Sequence, residues 1–282
     1  MPRLSEHQSH EFTKMIVMGH PGSGKTGGLT SLVKAGYWLG ILDFDNGLDP
    51  LVQFIKRECP DKINNVEYRT LRDKARMTPQ GRVIEGSATA FTTAYDMLDH
   101  WKYGNVDEGN PWKWGPDRIL VIDPLDFMAQ AAFDWREQMT MGKSGKYDQR
   151  AVYYDAQKAI GSTLATITGE RFRTNVIVLT HIRYLEGDDK VTKGFPNTIG
   201  QALSTMVGAY FNSMVLCEVT QGGKRVIRTS ATPQVDLKNP KPFAMSSTYP
   251  IETGFADFFR VLREEAPKPQ PVRPKQLNLR RV

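Results

Sequence analysis

Gly19-His20-Pro21-Gly22-Ser23-Gly24-Lys25-Thr26 follows the short apolar run Met15–Met18 and precedes residues with helical spacing to about Ala35 or Gly36. The octet satisfies G-x-x-x-x-G-K-[ST] in full, and strand–loop–helix is the context that gives this motif its meaning. Glycines let successive backbone N–H groups turn inward on a chain of phosphates with no Cβ in the way. The helix that starts here adds the positive end of its dipole. Gly19, Pro21, Gly22, Ser23, Gly24, Lys25, Thr26 and Gly27 are therefore the candidate contacts to a nucleoside triphosphate. Lys25 can reach the β- and γ-phosphates, and the Thr26 hydroxyl can ligate Mg2+. ATP with Mg2+ is the expected cofactor pair.

Outward from this loop, two more apolar runs end in carboxylates. Arg118-Ile119-Leu120-Val121-Ile122-Asp123 delivers one aspartate at a strand end, where a phosphate-loop enzyme needs a side chain to hold the Mg2+ shell. Asp123 is thus the second metal candidate beside Thr26, with a helix cap as the plainer reading. Ile41–Phe44 leads into Asp43-Phe44-Asp45-Asn46-Gly47. A carboxylate there could polarise an attacking water, but Asp-Asn-Gly is equally good turn chemistry. Spacing alone leaves both readings open.

The rest of the chain alternates helix and strand signals. Val66–Thr70, Arg118–Ile122 and Asn175–Thr180 read as strands, and Ser87–Trp101, Phe127–Glu137, Tyr153–Ile167 and Gln201–Tyr210 as helices, with Ser87 a candidate cap. Tyr103–Pro116 and Leu185–Gly200 read as loops. Met214–Val219 and Arg225–Ser230, separated by Gln221-Gly222-Gly223-Lys224, read as a β-hairpin. The expected architecture is α/β: a mainly parallel central sheet flanked by helices, with an antiparallel hairpin at one end. Residues 1–14 form a polar arm, 15–266 the folded domain, and 267–282 a Pro-rich basic tail expected to be disordered.

Composition narrows the function classes. The 282 residues are 40% hydrophobic, and the longest apolar runs are strand-length, too short to span a bilayer. The N-terminus lacks the apolar stretch of a signal peptide. Two cysteines, Cys59 and Cys217, cannot by themselves build a disulfide framework or a zinc site. These features point to a cytoplasmic protein, the host cytoplasm for a viral one, with no membrane partner. Of the net charge of +6, five lie in the tail (Lys268, Arg273, Lys275, Arg280, Arg281), leaving +1 for residues 1–266. A nucleic-acid role must therefore rest on local loops or on the tail.

The order of motifs resembles a known family. The phosphate loop, Ile41-Leu42-Asp43-Phe44-Asp45-Asn46-Gly47-Leu48-Asp49-Pro50, Leu120–Asp123, Val176-Ile177-Val178-Leu179-Thr180-His181-Ile182-Arg183 and Leu237-Lys238-Asn239-Pro240-Lys241-Pro242-Phe243 together resemble the RecA-like P-loop core. The similarity runs from about Met15 to Phe255 and is greatest to compact, phage-encoded ATPases of single-strand annealing and recombination. The resemblance implies an ATPase stimulated by single-stranded DNA and assembled as a filament or ring, with a single-strand DNA-binding protein as a further partner.

It also implies roles for particular residues. Asp45 takes the position of the catalytic base, normally a glutamate, and is one methylene shorter. His181 takes the sensor position at the end of the next strand. Two loops correspond to DNA-binding segments: Gln138–Arg150, with Lys143, Lys146 and Arg150, and Leu185–Gly200, with Lys190, Lys193 and Phe195. Phe195 could stack on a base. Lys238 and Lys241 match lysines that reach a neighbouring subunit's ATP, and nothing nearby in sequence offers them a partner. The competing classes are another P-loop DNA motor or loader, a small-molecule kinase, and a nucleotide-gated DNA-binding protein with little turnover. A helicase would normally carry an extra domain, and a kinase would need an Arg-rich lid that is not visible.

Overall fold

The computed structural model describes residues 11–79, 81–141, 148–187 and 190–264. β1 (Lys14–Gly19) leads through the phosphate loop into α1 (Lys25–Gly28) and α2 (Thr30–Lys34), and β2 (Trp38–Asp43) is followed by α3 (Asp49–Glu58) and β3 (Val66–Thr70). Two antiparallel hairpins flank α4 (Ala90–Asp99): β4 (Ala75–Thr78) with β5 (Gly81–Ile84), and β6 (Trp101–Tyr103) with β7 (Val106–Gly109). β8 (Gly115–Asp123) runs into α5 (Leu125–Met141), then α6 (Gln149–Thr168) and β9 (Thr174–Thr180). The hairpin β10 (Ile182–Glu186) and β11 (Thr192–Pro196) precedes α7 (Gln201–Val207). β12 (Ser213–Val219), β13 (Arg225–Arg228), β14 (Thr248–Pro250) and α8 (Gly254–Arg263) follow.

Eight strands form one sheet in the order β14-β13-β12-β1-β9-β8-β2-β3. From β12 to β3 every pairing is parallel, and β13 and β14 add the antiparallel end. This is the architecture expected from the alternation of apolar runs. The central strands are apolar on both faces, as burial under two helical layers requires. Met15 and Val17 of β1 join Ile41, Val121 and Leu179 under α2, α3 and α8. Ile16 and Met18, one residue out of phase, join Leu42, Ile122 and Val178 under α4, α5 and α6. Among the described residues no helix is long and apolar enough to cross a membrane.

The structure departs from the sequence reading in several places. Leu185–Gly200 was expected to be a loop, but its first part is paired: β10 and β11 form a hairpin. Its turn is closed by Gly187 N–H donating to the Val191 carbonyl, with Lys190 at φ 59. Charged turn residues mask a short two-stranded ribbon when only composition is read. The loop Tyr103–Pro116 likewise contains β7. α4 starts at Ala90, and its first amides are capped by Asp73: Oδ1 accepts from Thr89 N (2.7 Å) and Ala90 N (3.0 Å). A carboxylate seventeen positions back does what Ser87 was expected to do, and it suits the positive helix end better than a hydroxyl. α6 is capped by Asp148, which accepts from Arg150 N and Ala151 N.

Lys14, assigned by sequence to the polar arm, is the first residue of β1 and is buried. Its Nζ donates to the carbonyls of Ile167 (2.9 Å), Phe172 (2.6 Å) and Thr174 (2.7 Å). Burial pulls its pKa down to about 7, yet three acceptors match the three donors of an ammonium. Lys14 thereby ties the end of α6 and the start of β9 to β1. Lys14→Met keeps the apolar stem and removes the donors, leaving carbonyls unpaired. We expect a loss of about 2–4 kcal/mol, read from the urea unfolding midpoint; an unchanged midpoint would show that water replaces the ammonium at no cost.

Candidate functional site

The phosphate loop follows β1 where that strand leaves the sheet between β12 and β9. Its turn is closed by Ser23 N–H donating to His20 O (3.2 Å) and its helix opens with Gly28 N–H donating to Gly24 O (2.8 Å). Gly24 sits at φ 95, in the left-handed region. The backbone therefore favours glycine, and a Cβ there would also press on Arg225 Cδ at 2.9 Å. At Gly19 a Cβ would lie 2.5 Å from the Cys217 carbonyl, so the loop can leave β1 against β12 only without a side chain.

Lys25 is buried under the loop, with Nζ donating to Gly19 O (2.8 Å) and His20 O (3.1 Å). Burial lowers its pKa, and the carboxylates Asp123, Asp126 and Asp45 oppose that shift. The ammonium rests on carbonyls at the floor of the loop, within a side-chain rotation of any phosphate held above.

Asp43, Asp45 and Asp123 gather at the sheet edge beside Lys25. Asp43 and Asp123 are register partners on β2 and β8, and both are buried. Asp43 is fully occupied by structure: Oδ1 accepts from Asn46 N (2.9 Å) and Oδ2 from Thr70 Oγ1 (2.8 Å). Asp123 Oδ2 accepts from Thr26 Oγ1 at 2.8 Å, which joins the two expected Mg2+ ligands across 97 positions of sequence. Burial pushes Asp123 up to about 7, a shift the Thr26 hydroxyl opposes and Asp45 and Asp43 reinforce. Asp45 is also raised, first by burial and then by the Asp43 charge. Its Oδ1 is buried without a hydrogen-bond partner. The donor set is oxygen-only, hard and negatively charged, and fits Mg2+ bound through one carboxylate, one hydroxyl and the phosphates.

His181 stands at the end of β9, the strand between those that carry Lys25 and Asp123. Its Nδ1 lies 2.8 Å from Asp126 Oδ2, and its carbonyl accepts from Asn197 N (2.8 Å). Lys25, Thr26, Asp45, Asp123 and His181 line one cavity of about 500 Å³. Pro50, Phe54 and Ile251 give it an apolar side suited to a planar base, and Gly27 lets the Phe54 ring approach the loop.

The remaining sequence candidates lie elsewhere. Lys143 and Lys146 fall outside the described residues, as do residues 1–10 and the tail after 264. Arg150 is exposed in the first turn of α6, and Lys190 is exposed at the hairpin turn. Lys193 makes an exposed pair with Asp236 (3.2 Å), and Phe195 is half-buried in β11. The lack of partners expected for Lys238 and Lys241 is not found. Lys238 Nζ donates to Gly208 O (2.6 Å) and Phe211 O (3.2 Å), and Lys241 Nζ to Val261 O (3.0 Å) and Glu264 O. A lysine can cap the exposed carbonyls of a distant turn or helix end, which sequence proximity does not reveal. Lys238 also bridges Met214 at the start of β12, the opposite end of the sheet from the phosphate loop.

Sequence reasoning missed Asp126 and Arg225. Asp126 lies one helical turn after Asp123 in Asp-Pro-Leu-Asp, a spacing that could have flagged it. Arg225 reaches the loop from the second strand of a hairpin, and no local signal marks it.

A phosphate loop, a Thr26–Asp123 pair and a parallel sheet that aims both at one cavity define a P-loop nucleotide-binding ATPase domain. The chain belongs to the AAA domain family AAA_24, whose model matches residues 11–240. The match supports a P-loop ATPase and does not extend to the recombination subtype suggested by motif order. No curated protein matches the chain. Among solved structures it is similar to a "unique ATP synthase subunit NeqB" from Nanoarcheaum equitans, at 12% identity and TM-score 0.38. The match covers 75% of this chain and 48% of that one, about half its length.

The raised Asp123 makes a pH prediction for the protein without Mg2+. An unfolded aspartate ionises near 3.8; the folded one keeps its proton to about 7. Between those values the folded state binds more protons, so stability falls as pH rises. Asp123→Asn should flatten that slope in unfolding midpoints measured from pH 4 to 7. The same slope in wild type and variant would mean that Asp123 ionises normally.

Proposed function

We propose that this chain hydrolyses ATP and couples the hydrolysis to binding single-stranded DNA, as an assembling recombination or annealing protein of RecA type. The observation that carries the coupling is the position of His181. It faces the nucleotide cavity from the end of β9, and the next residue begins the hairpin β10–β11. That hairpin touches the phosphate loop a second time through Tyr184, whose ring stacks on His20 (centroids 5.9 Å apart, planes 24° apart). A change at the γ-phosphate thus has two short physical routes to an exposed ribbon.

In this reading the loop amides and Lys25 hold the triphosphate, and Thr26 and Asp123 would hold Mg2+, whose charge would be available to the phosphate oxygens. Asp45 accepts the proton of the attacking water. Burial and the Asp43 charge raise its proton affinity, which makes it a stronger base once ionised. His181, oriented by Asp126, senses the γ-phosphate. The exposed Arg150 and Lys190 are the described candidates for DNA phosphate contacts. Lys238 and Lys241 do not line their own cavity, so in this reading they would act on a neighbour's nucleotide, and each would have to release its carbonyls to do so.

A nucleotide-gated binder with little turnover is the second reading, favoured by the shortened side chain at position 45.

Lys25→Ala should abolish ATP binding while the chain stays folded, because the ammonium is hydrogen-bonded to two carbonyls of the loop itself. Asp45→Asn should retain binding and lose hydrolysis by about 100-fold or more, as expected when only a proton acceptor is removed. Both are read by equilibrium nucleotide binding and phosphate release, with and without single-stranded DNA. Turnover that single-stranded DNA leaves unchanged would overturn the DNA coupling. Slow, DNA-independent turnover in wild type would select the gated binder.

A further inference from the structure

We propose that Arg225 is a polyphosphate-contacting residue, supplied by the chain's own antiparallel hairpin to the rim of the phosphate loop. The inference rests on the nucleotide-binding reading above and extends it to a residue outside the phosphate-loop motif.

Arg225 is the first residue of β13, and three backbone constraints fix it. It is the register partner of Val219 on β12, its carbonyl accepts from Ile251 N (3.2 Å), and the turn before it is closed by Thr220 N donating to Lys224 O (2.8 Å). From there the side chain crosses onto the loop. Nε donates to the Gly22 carbonyl at 2.9 Å, and Cδ lies against Gly24, within 2.9 Å of where a Cβ would stand. The guanidinium lines the same cavity as Lys25 and Thr26.

Its charge is not otherwise used. Among the described residues no carboxylate lies within ion-pair distance of Arg225. Arg57, the other arginine of this cavity, is held by Glu58 at 2.5 Å and lies over the Phe54 ring. Arg225 is also exposed, so its terminal N–H groups remain open to a ligand. A guanidinium donates in a planar fork; one edge anchored on a loop carbonyl leaves the rest oriented toward oxygen acceptors at the rim. The cavity otherwise sets Asp45, Asp123 and Glu252 beside the ammonium of Lys25, so a polyanion entering it gains from a further fixed cation at the rim.

The rival role is mechanical: Arg225 could merely brace the loop through Gly22. Arg225→Gln separates the two, because a glutamine amide can still donate to the Gly22 carbonyl but carries no charge. Arg225→Lys keeps a charge and serves as a second, conservative variant. Kd is measured for ATP and for inorganic triphosphate, which has no base or ribose, with wild type and Lys25→Ala as references and melting profiles as a check of folding. A polyphosphate contact predicts a loss of about tenfold or more in Arg225→Gln for both ligands, with partial recovery in Arg225→Lys. Undiminished binding by Arg225→Gln overturns the proposal and leaves a brace. A loss for ATP but not for triphosphate also overturns it, placing Arg225 on the base or ribose. Failure of wild type to bind either ligand would instead defeat the nucleotide-binding reading itself.

Discussion

The site depends on the parallel register of four neighbouring strands. β1, β9, β8 and β2 run in one direction, with Met18 opposite Thr180, Ile122 opposite Val178, and Asp43 opposite Asp123. Parallel strands leave the sheet at the same edge, so Gly19, His181, Asp123 and Asp43 emerge side by side although they are far apart in sequence. Buried apolar runs under two helical layers hold that register, because a slip of one residue would exchange the two cores. Met15 and Val17 belong to one core, and Ile16 and Met18 to the other.

Electrostatics is the consequence of that alignment. Placing buried Asp43 and Asp123 beside half-buried Asp45 at one sheet edge raises the cost of ionising all three together. The chain lessens this by giving Asp43 a set of hydrogen bonds that uses both its oxygens. Asp123 and Asp45 carry the remaining strain as raised proton affinities. A site built in this way is incomplete without cations. Lys25, and by our inference Arg225, supply two from the protein, and the oxygen donors of Thr26 and Asp123 suit a divalent ion.

The hairpin β10–β11 is the element through which nucleotide state could be felt elsewhere. It is continuous with His181 and stacked on His20 through Tyr184. It is also anchored at its far side, with Gly194 N donating to Gln234 O (2.7 Å) and Lys193 paired with Asp236. A ribbon held at both ends moves as a unit more readily than a loose loop does.

Sequence alone determined the phosphate loop, the apolar strands and their terminal carboxylates, because each is encoded by adjacent residues: glycines for backbone shape, apolar runs for burial. The β12–β13 hairpin was legible for the same reason, its strands being separated by a Gly-Gly turn. Order of motifs added Asp45 and His181 as candidates, and the structure brings both to the cavity with Lys25, Thr26 and Asp123. Only the tertiary structure decided which distant groups meet. Asp73 caps α4 in place of Ser87, Asp126 orients His181, Lys238 and Lys241 close carbonyls of their own chain, and Arg225 crosses from another strand onto the loop. These contacts have no local signature. Each is made by one polar side chain bridging elements whose proximity is set by sheet order and layer packing, and a linear pattern of residue types does not contain that distance.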